Sequence, residues 1–196
     1  MKYLLPAYIV IYFGVALLWR SYAVWKRTGV NPYALGKADT VHGLVGFLFR
    51  LTLATIAVVV ILFSIWDDGY QRLIPITWLQ HAALALIGLG LLIASLVWIL
   101  VAQVHMGEAW RIGIDANTET QLVQHGLFRI SRNPIFLGMR FTLLGLFLVL
   151  PNAVMLTVLV LGDVLMQIQV RLEEEYLAQK QGEVYQKYCQ QTRRWL

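Results

Sequence analysis

Between residues 73 and 107 the chain carries no Asp, Glu, Lys or Arg. At about 1.5 Å of rise per helical residue, such a run outlasts the roughly 30 Å hydrocarbon core of a bilayer, which predicts a tilted or projecting membrane helix over residues 76–101. Residues 3–19 are also uncharged and lack a small-residue cleavage site before Arg20, so they are expected to stay as a first span rather than act as a signal peptide. A second span is expected over residues 51–66, extended back to about Phe47, with Arg50 near enough to its end to snorkel. The apolar block 135–170 is too long for one crossing, and its Pro151-Asn152 pair predicts two short spans joined by a tight hairpin.

The predicted fold class is therefore all-α, a polytopic membrane protein with about five transmembrane helices. Residues 1–72 supply two N-terminal helices, and residues 73–196 form a core of three helices, a polar third loop and a C-terminal helix. Composition agrees. The chain is 59% hydrophobic and 14% charged, against roughly 45–50% and about 25% in soluble domains. A single cysteine, Cys189, excludes an intramolecular disulfide framework. The net charge of +5 does not form one basic face, so nucleic acid is not an expected partner. Its basic residues flank the apolar runs: Arg20, Lys26, Arg27, Lys37 and Arg50 in the first loop, Arg111, Arg129 and Arg132 in the third, and five more in the tail. The positive-inside rule then puts those three pieces in the cytosol and the N-terminus outside.

Three groups of residues attract attention for chemistry. Residues 105–138 crowd glycines and arginines against the start of a span, either as a simple connector or as a site. Residues 171–175 read Arg-Leu-Glu-Glu-Glu at the end of the last apolar run. Carboxylates oppose the helix dipole at a C-terminus, so either the helix continues or the group serves a ligand. Arg140 and Asp163 lie at equal distance from the predicted hairpin turn, and an unpaired charge in hydrocarbon costs at least about 2.5–3.5 kcal/mol, so the two are expected to pair. Asp163, Gln167, Arg171 and Glu174 fall on one helical stripe, expected to face the protein interior. Gly88 and Gly90 suit a helix-packing notch. His81 and His105 have no partners at ligand spacing, so no metal site is expected.

Several segments together resemble a known family. These are Trp110-Arg111-Ile-Gly-Ile, the run from Leu122 and Val123 through Gly126 to Phe128, Arg132-Asn133-Pro134 followed by Phe136 and Gly138, and Glu173-Glu174 followed by Leu177, Gly182, Tyr185 and Tyr188. In order and spacing they are similar to the isoprenylcysteine carboxyl methyltransferase and phospholipid methyltransferase superfamily of membrane enzymes. The resemblance implies methyl transfer from S-adenosylmethionine, leaving S-adenosylhomocysteine, with the cofactor enclosed by the third loop and the tail. The acceptor would be a lipophilic molecule: an isoprenylcysteine-like carboxylate, a lipid amine or a thiol. It further implies that Leu122, Val123, Gly126 and Phe128 wall the adenosine and that Pro134 starts the helix beside the methionine portion. Glu173 and Glu174 would meet the ammonium or ribose, and Gly88 and Gly90 would match a cofactor-binding glycine pair. Arg132 and Asn133 are the implied catalytic positions, and Arg111, Phe136 and Arg140 the substrate-binding ones.

Asn133 stands where the family often has His, and Phe136 and Phe128 where it often has Tyr, which removes a proton acceptor and two phenols. Since a sulfonium methyl is already electrophilic, proximity and desolvation are the main requirements. Two alternatives remain. The Arg-x-Pro turn and the Tyr-x-x-Tyr-Cys ending also resemble NADPH-dependent membrane reductases of the sterol reductase type. A small non-catalytic membrane assembly subunit is the other. Adjacent Glu173 and Glu174 suit a cationic amino-acid-like donor better than a 2′-phosphate.

Overall fold

A computed structural model describes residues 1–29, 40–110 and 122–196. The described residues are mostly helical and form no β-strand. Four helices are long and apolar enough to cross a bilayer: α1 (Leu4–Thr28), α2 (Val41–Ile65), α3 (Ala82–Met106, prolonged by a 3-10 turn to Ala109) and α5 (Ala153–Gln181). A shorter apolar helix, α4 (Pro134–Val149), is the fifth, and the amphipathic α6 (Glu183–Gln191) follows α5. α4 packs along α3 on one side and α5 on the other, while α2 lies against α5.

Local sequence explains the boundaries. Thr40 caps α2 by accepting from the Gly43 N–H at 3.1 Å, and Asn152 caps α5 by accepting from the Met155 N–H at 2.9 Å. Pro134 occupies the first turn of α4, where its missing N–H costs nothing. Pro151 and Asn152 form the expected tight hairpin, completely buried.

Three expectations shift. α3 begins at Ala82 rather than Ile76, because residues 73–76 form an irregular segment bonded to the hairpin turn, with Ile74 at φ +55° and Pro75 in an isolated bridge with Asn152. There the Ile76 N–H donates to the Pro151 carbonyl at 2.8 Å, and the Ala153 N–H to the carbonyls of Leu73 and Ile74. The block 135–170 is not two short spans, since α5 runs for 29 residues and carries the three glutamates on a continuing helix. The proposed inward stripe breaks at Arg171, which is exposed and folds back onto the Gln167 carbonyl and side chain. The interior face of α5 is instead Met155, Val158, Gly162, Met166, Gln169 and Val170.

Close helix contact is set by small residues. A methyl group on Gly88 would lie 2.8 Å from the Gly145 carbonyl oxygen, and one on Gly145 would lie 3.0 Å from the Gly88 oxygen. α3 and α4 therefore touch backbone to backbone, as small residues permit in membranes. The same interface holds a buried Ser95–Thr142 hydroxyl pair at 2.9 Å and a Trp98 indole N–H donating to the Pro134 carbonyl at 2.8 Å. α1 contains a π-helical stretch, Phe13–Trp19, and is pinned to the far end of α3: Gln103 donates to the Ala16 carbonyl, and Arg20 donates to the carbonyls of Gln103 and Gly107. At the opposite end Lys2 pairs with Asp67, so residue 2 and the loop after α2 share one end of the bundle with the α4–α5 turn.

Candidate functional site

Unequal helix lengths place the polar residues. α4 has 16 residues and α5 has 29, so at about 1.5 Å per residue the arms of the hairpin measure about 24 Å and about 43 Å. α5 thus outruns α4, and residues 131–134 sit beside its last turns. Residues 122–133 and 192–195 both reach this end and fold on each other. Ser131 and Arg193 form an isolated parallel bridge, the Arg132 N–H donates to the Arg193 carbonyl at 2.9 Å, and Ser131 Oγ donates to the Arg194 carbonyl. The Tyr188 hydroxyl of α6 donates to the Phe128 carbonyl at 2.6 Å.

Glu174 is the hub of this junction. Its Oε1 accepts from Arg132 Nε at 3.2 Å and Asn133 Nδ2 at 3.0 Å, and its Oε2 accepts from Arg132 Nη2 at 3.3 Å and from Arg194 Nε and Nη2 at 3.0 and 2.8 Å. Arg132 further donates from Nη1 to the carbonyls of Cys189 and Thr192. Asn133 is buried and adds a bond to the Arg194 carbonyl. Side chains of Arg132 and Glu174 are only 12% and 11% exposed, whereas Arg194 is 36% exposed. Glu173, one position earlier, accepts from Gln169 Nε2 at 2.8 Å.

Around the hub, electrostatics follow burial and charge. Hydrogen bonds from Arg194 to the Glu174 carboxylate raise the pKa of Arg194. Burial pushes the Tyr188 phenol up to about 12, and burial together with the Glu174 charge raises that of Tyr185. Both phenols are neutral donors at any ordinary pH.

Six residues into α4, about 9 Å from its start, Arg140 pairs through Nε with Asp163 Oδ1 of α5, as the sequence predicts. Trp195 lies over the Arg140 guanidinium, 4.6 Å from Cζ to the ring centroid. A small apolar cleft of about 50 Å³, open at one side, runs between α1, α2, α4 and α5, lined by residues that include Tyr12, Phe49, Thr142, Met166 and the immediate chain neighbours of this pair, Met139 and Gly162.

A family comparison matches residues 81–184, just over half of the chain, to the phospholipid methyltransferase model. The chain belongs to the phospholipid methyltransferase family. No curated protein matches it. The family segment spans α3, the loop after it, α4 and α5, and so contains Arg132, Asn133, Glu173 and Glu174 but not Arg194 or Trp195.

The remaining expected site residues distribute unevenly. Leu122 and Val123 are half-buried and lead into the 3-10 turn Gly126–Arg129, which carries the buried Phe128. Gly126 has φ +59°, and a methyl group there would lie 2.5 Å from the His105 ring. What approaches Gly126 is thus the His105 imidazole, whose Nδ1 accepts from the Leu127 N–H at 3.2 Å. Phe136 packs into the apolar core. Gly88 and Gly90 are not brought to the hub: they lie near the other end of α3, Gly88 buried against α4 and Gly90 exposed. Arg111 lies outside the described residues. Arg194 and Trp195 escaped the motif reading because nothing in their local spacing marks them. The signal that was available is the pair of arginines that follows Tyr185 and Tyr188 in the tail.

Proposed function

We propose that this member of the phospholipid methyltransferase family transfers a methyl group from S-adenosylmethionine to a lipophilic acceptor at the end of the bundle where residues 122–133 meet residues 192–195. The observation that carries the reading is that junction: the two polar stretches, far apart in sequence, are hydrogen-bonded to each other and to Glu174 of α5. When bound, the donor supplies an electrophilic sulfonium methyl, and the protein's work is placement and exclusion of water. The residues fit a zwitterionic amino acid end. Among the described residues, Glu173 keeps one carboxylate oxygen and Arg194 one amino group without a protein partner. Leu122, Val123 and Phe128 supply apolar surface nearby for an adenosine.

In this reading Glu174, Arg132 and Asn133 build the floor of the site rather than touch the reacting atoms, since their polar groups are spent on one another. Arg140, Asp163 and the apolar cleft beside them face the acceptor, whose hydrocarbon chain lies among Met139, Met166 and Phe49 while its polar end reaches the junction. Residues 73–196 form the methyltransferase core and residues 1–72 an added helical pair. Basic residues 20, 26 and 27 lie in the last turns of α1, which pack on the junction end of α3, and 129, 132, 193 and 194 lie at the junction itself, which favours a cytosolic site with residue 1 outside. Family membership favours methyl transfer over the reductase alternative.

Thermal unfolding of the detergent-solubilised protein tests the reading. A ligand at a hundred times its Kd adds about 2.7 kcal/mol to stability. S-adenosylhomocysteine is expected to raise Tm in a concentration-dependent way, with NADPH inert. A shift with NADPH alone, or with neither ligand, overturns the reading.

A further inference from the structure

Two guanidinium groups, Arg132 and Arg194, share the single Glu174 carboxylate. The two arginines are not equivalent. Arg132 is enclosed, with donors committed to Glu174 and to two backbone carbonyls. Arg194 uses Nε and Nη2 on Glu174, its Nη1 amino group has no partner among the described residues, and a third of its side chain is exposed. Its backbone is fixed as well, because the Arg194 carbonyl accepts from Ser131 Oγ and Asn133 Nδ2. A free Nη1 group is therefore presented to the open side of the junction by a guanidinium whose orientation is already set, the arrangement in which a charge-assisted bond loses least entropy.

We propose that Arg194 is an oxyanion-holding residue of the site, binding the carboxylate of the donor's amino acid end through its free Nη1 group. The inference rests on the methyl-donor reading above and adds to it a residue outside the matched family segment. It assigns Arg194 a contact with the ligand, distinct from the purely structural task of holding Glu174.

A ligand comparison separates the two roles. S-adenosylhomocysteine and 5′-methylthioadenosine share the adenosine and thioether, but only the first has an amino acid end. Calorimetric titration of both into wild-type protein, Arg194→Gln and Arg194→Lys reads the difference. Arg194→Gln is expected to weaken S-adenosylhomocysteine about ten- to a hundredfold, the range of a hydrogen bond to a charged group, and 5′-methylthioadenosine less than twofold. Arg194→Lys, which keeps the charge, is expected to retain part of the affinity and serves as the readout if the glutamine variant does not fold. Equal losses for both ligands make Arg194 a structural residue and overturn the proposal, as does no loss for either. Failure of the wild-type protein to bind either ligand overturns the methyl-donor reading itself, and this inference with it.

Discussion

Replacing Glu174 by Gln removes the only carboxylate among the described residues that touches Arg132 and Arg194, and the structure sets how much that costs. Arg132 and Glu174 are each about nine-tenths buried, at 12% and 11% exposed. Taking one partner from a buried pair strands the other charge and costs about 3–5 kcal/mol. Arg132 retains two backbone carbonyls, which places the loss at the low end, about 3 kcal/mol. Arg194 is more than a third exposed, so solvent screens it and its part of the interaction adds at most about 1 kcal/mol. The expectation is a loss of about 3–4 kcal/mol for Glu174→Gln but no more than about 1 kcal/mol for Arg194→Gln. Reversible unfolding in mixed micelles, followed by helix signal against denaturant, measures both. If Glu174→Gln lies within 1 kcal/mol of wild type on that about 3–4 kcal/mol scale, or if Arg194→Gln costs as much as Glu174→Gln, the hub is not organised as described.

Other consequences are separable. Exchanging the membrane pair as Arg140→Asp with Asp163→Arg should yield more folded protein than either single change, as each single change sets two like charges together; size-exclusion recovery after extraction reads this, and an additive double variant refutes the contact. Gly88→Ala should lower Tm by forcing α3 from the Gly145 carbonyl while leaving S-adenosylhomocysteine affinity of the folded fraction within twofold, roughly the scatter expected for a site this far along the helix. Tyr188, with its folded pKa pushed to about 12 against an ordinary value of 10.0, stays protonated in the native state while the unfolded chain ionises. Its contribution is therefore complete below pH 10 and is lost as the pH rises towards about 12, and Tyr188→Phe should flatten that part of the alkaline denaturation curve. An unchanged alkaline limb in the phenylalanine variant would show that Tyr188 is not the titrating group.

The helical plan was legible because hydrocarbon imposes it. Charge-free runs, the Pro151-Asn152 break and the matched positions of Arg140 and Asp163 are one-dimensional signals of a three-dimensional constraint, and each reappears in the fold. Boundaries were less legible where tertiary contacts compete with local pattern. Residues 73–76 look as apolar as the helix they precede, yet they pair with the hairpin backbone because Pro75 ends the helical option there. Arg171 shares the stripe of Asp163 and Glu174 by periodicity, but a long side chain at a helix surface prefers solvent and its own preceding turn. In the site, Arg132, Asn133 and Glu174 were found together, but sequence could not reveal that they bind one another. Arg194, which joins them on Glu174, is brought in across the α5–α6 bend from a segment with no motif of its own.

The short arm of the hairpin gives this site its physical character. Because α4 stops about 24 Å from the turn, its first residues lie no further out than the edge of a roughly 30 Å hydrocarbon layer, and Arg140 lies about 9 Å deeper. A full-length α4 would lift residues 131–134 well clear of the membrane, and the junction with residues 192–195 would then stand in bulk water. In the proposed reading, an arm this short lets a lipophilic acceptor keep its chain in the bilayer while its polar end meets the junction, with the exposed Arg193 facing away from it. The Arg140–Asp163 pair, about a third exposed at this depth, is stabilised by Trp195 stacked on the guanidinium, so the segment that brings Arg194 to Glu174 also covers the charge nearest the lipid. The two polar centres of the molecule, one at the interface and one inside it, are thereby joined by adjacent residues of one short segment, and a change at either is expected to be felt at the other.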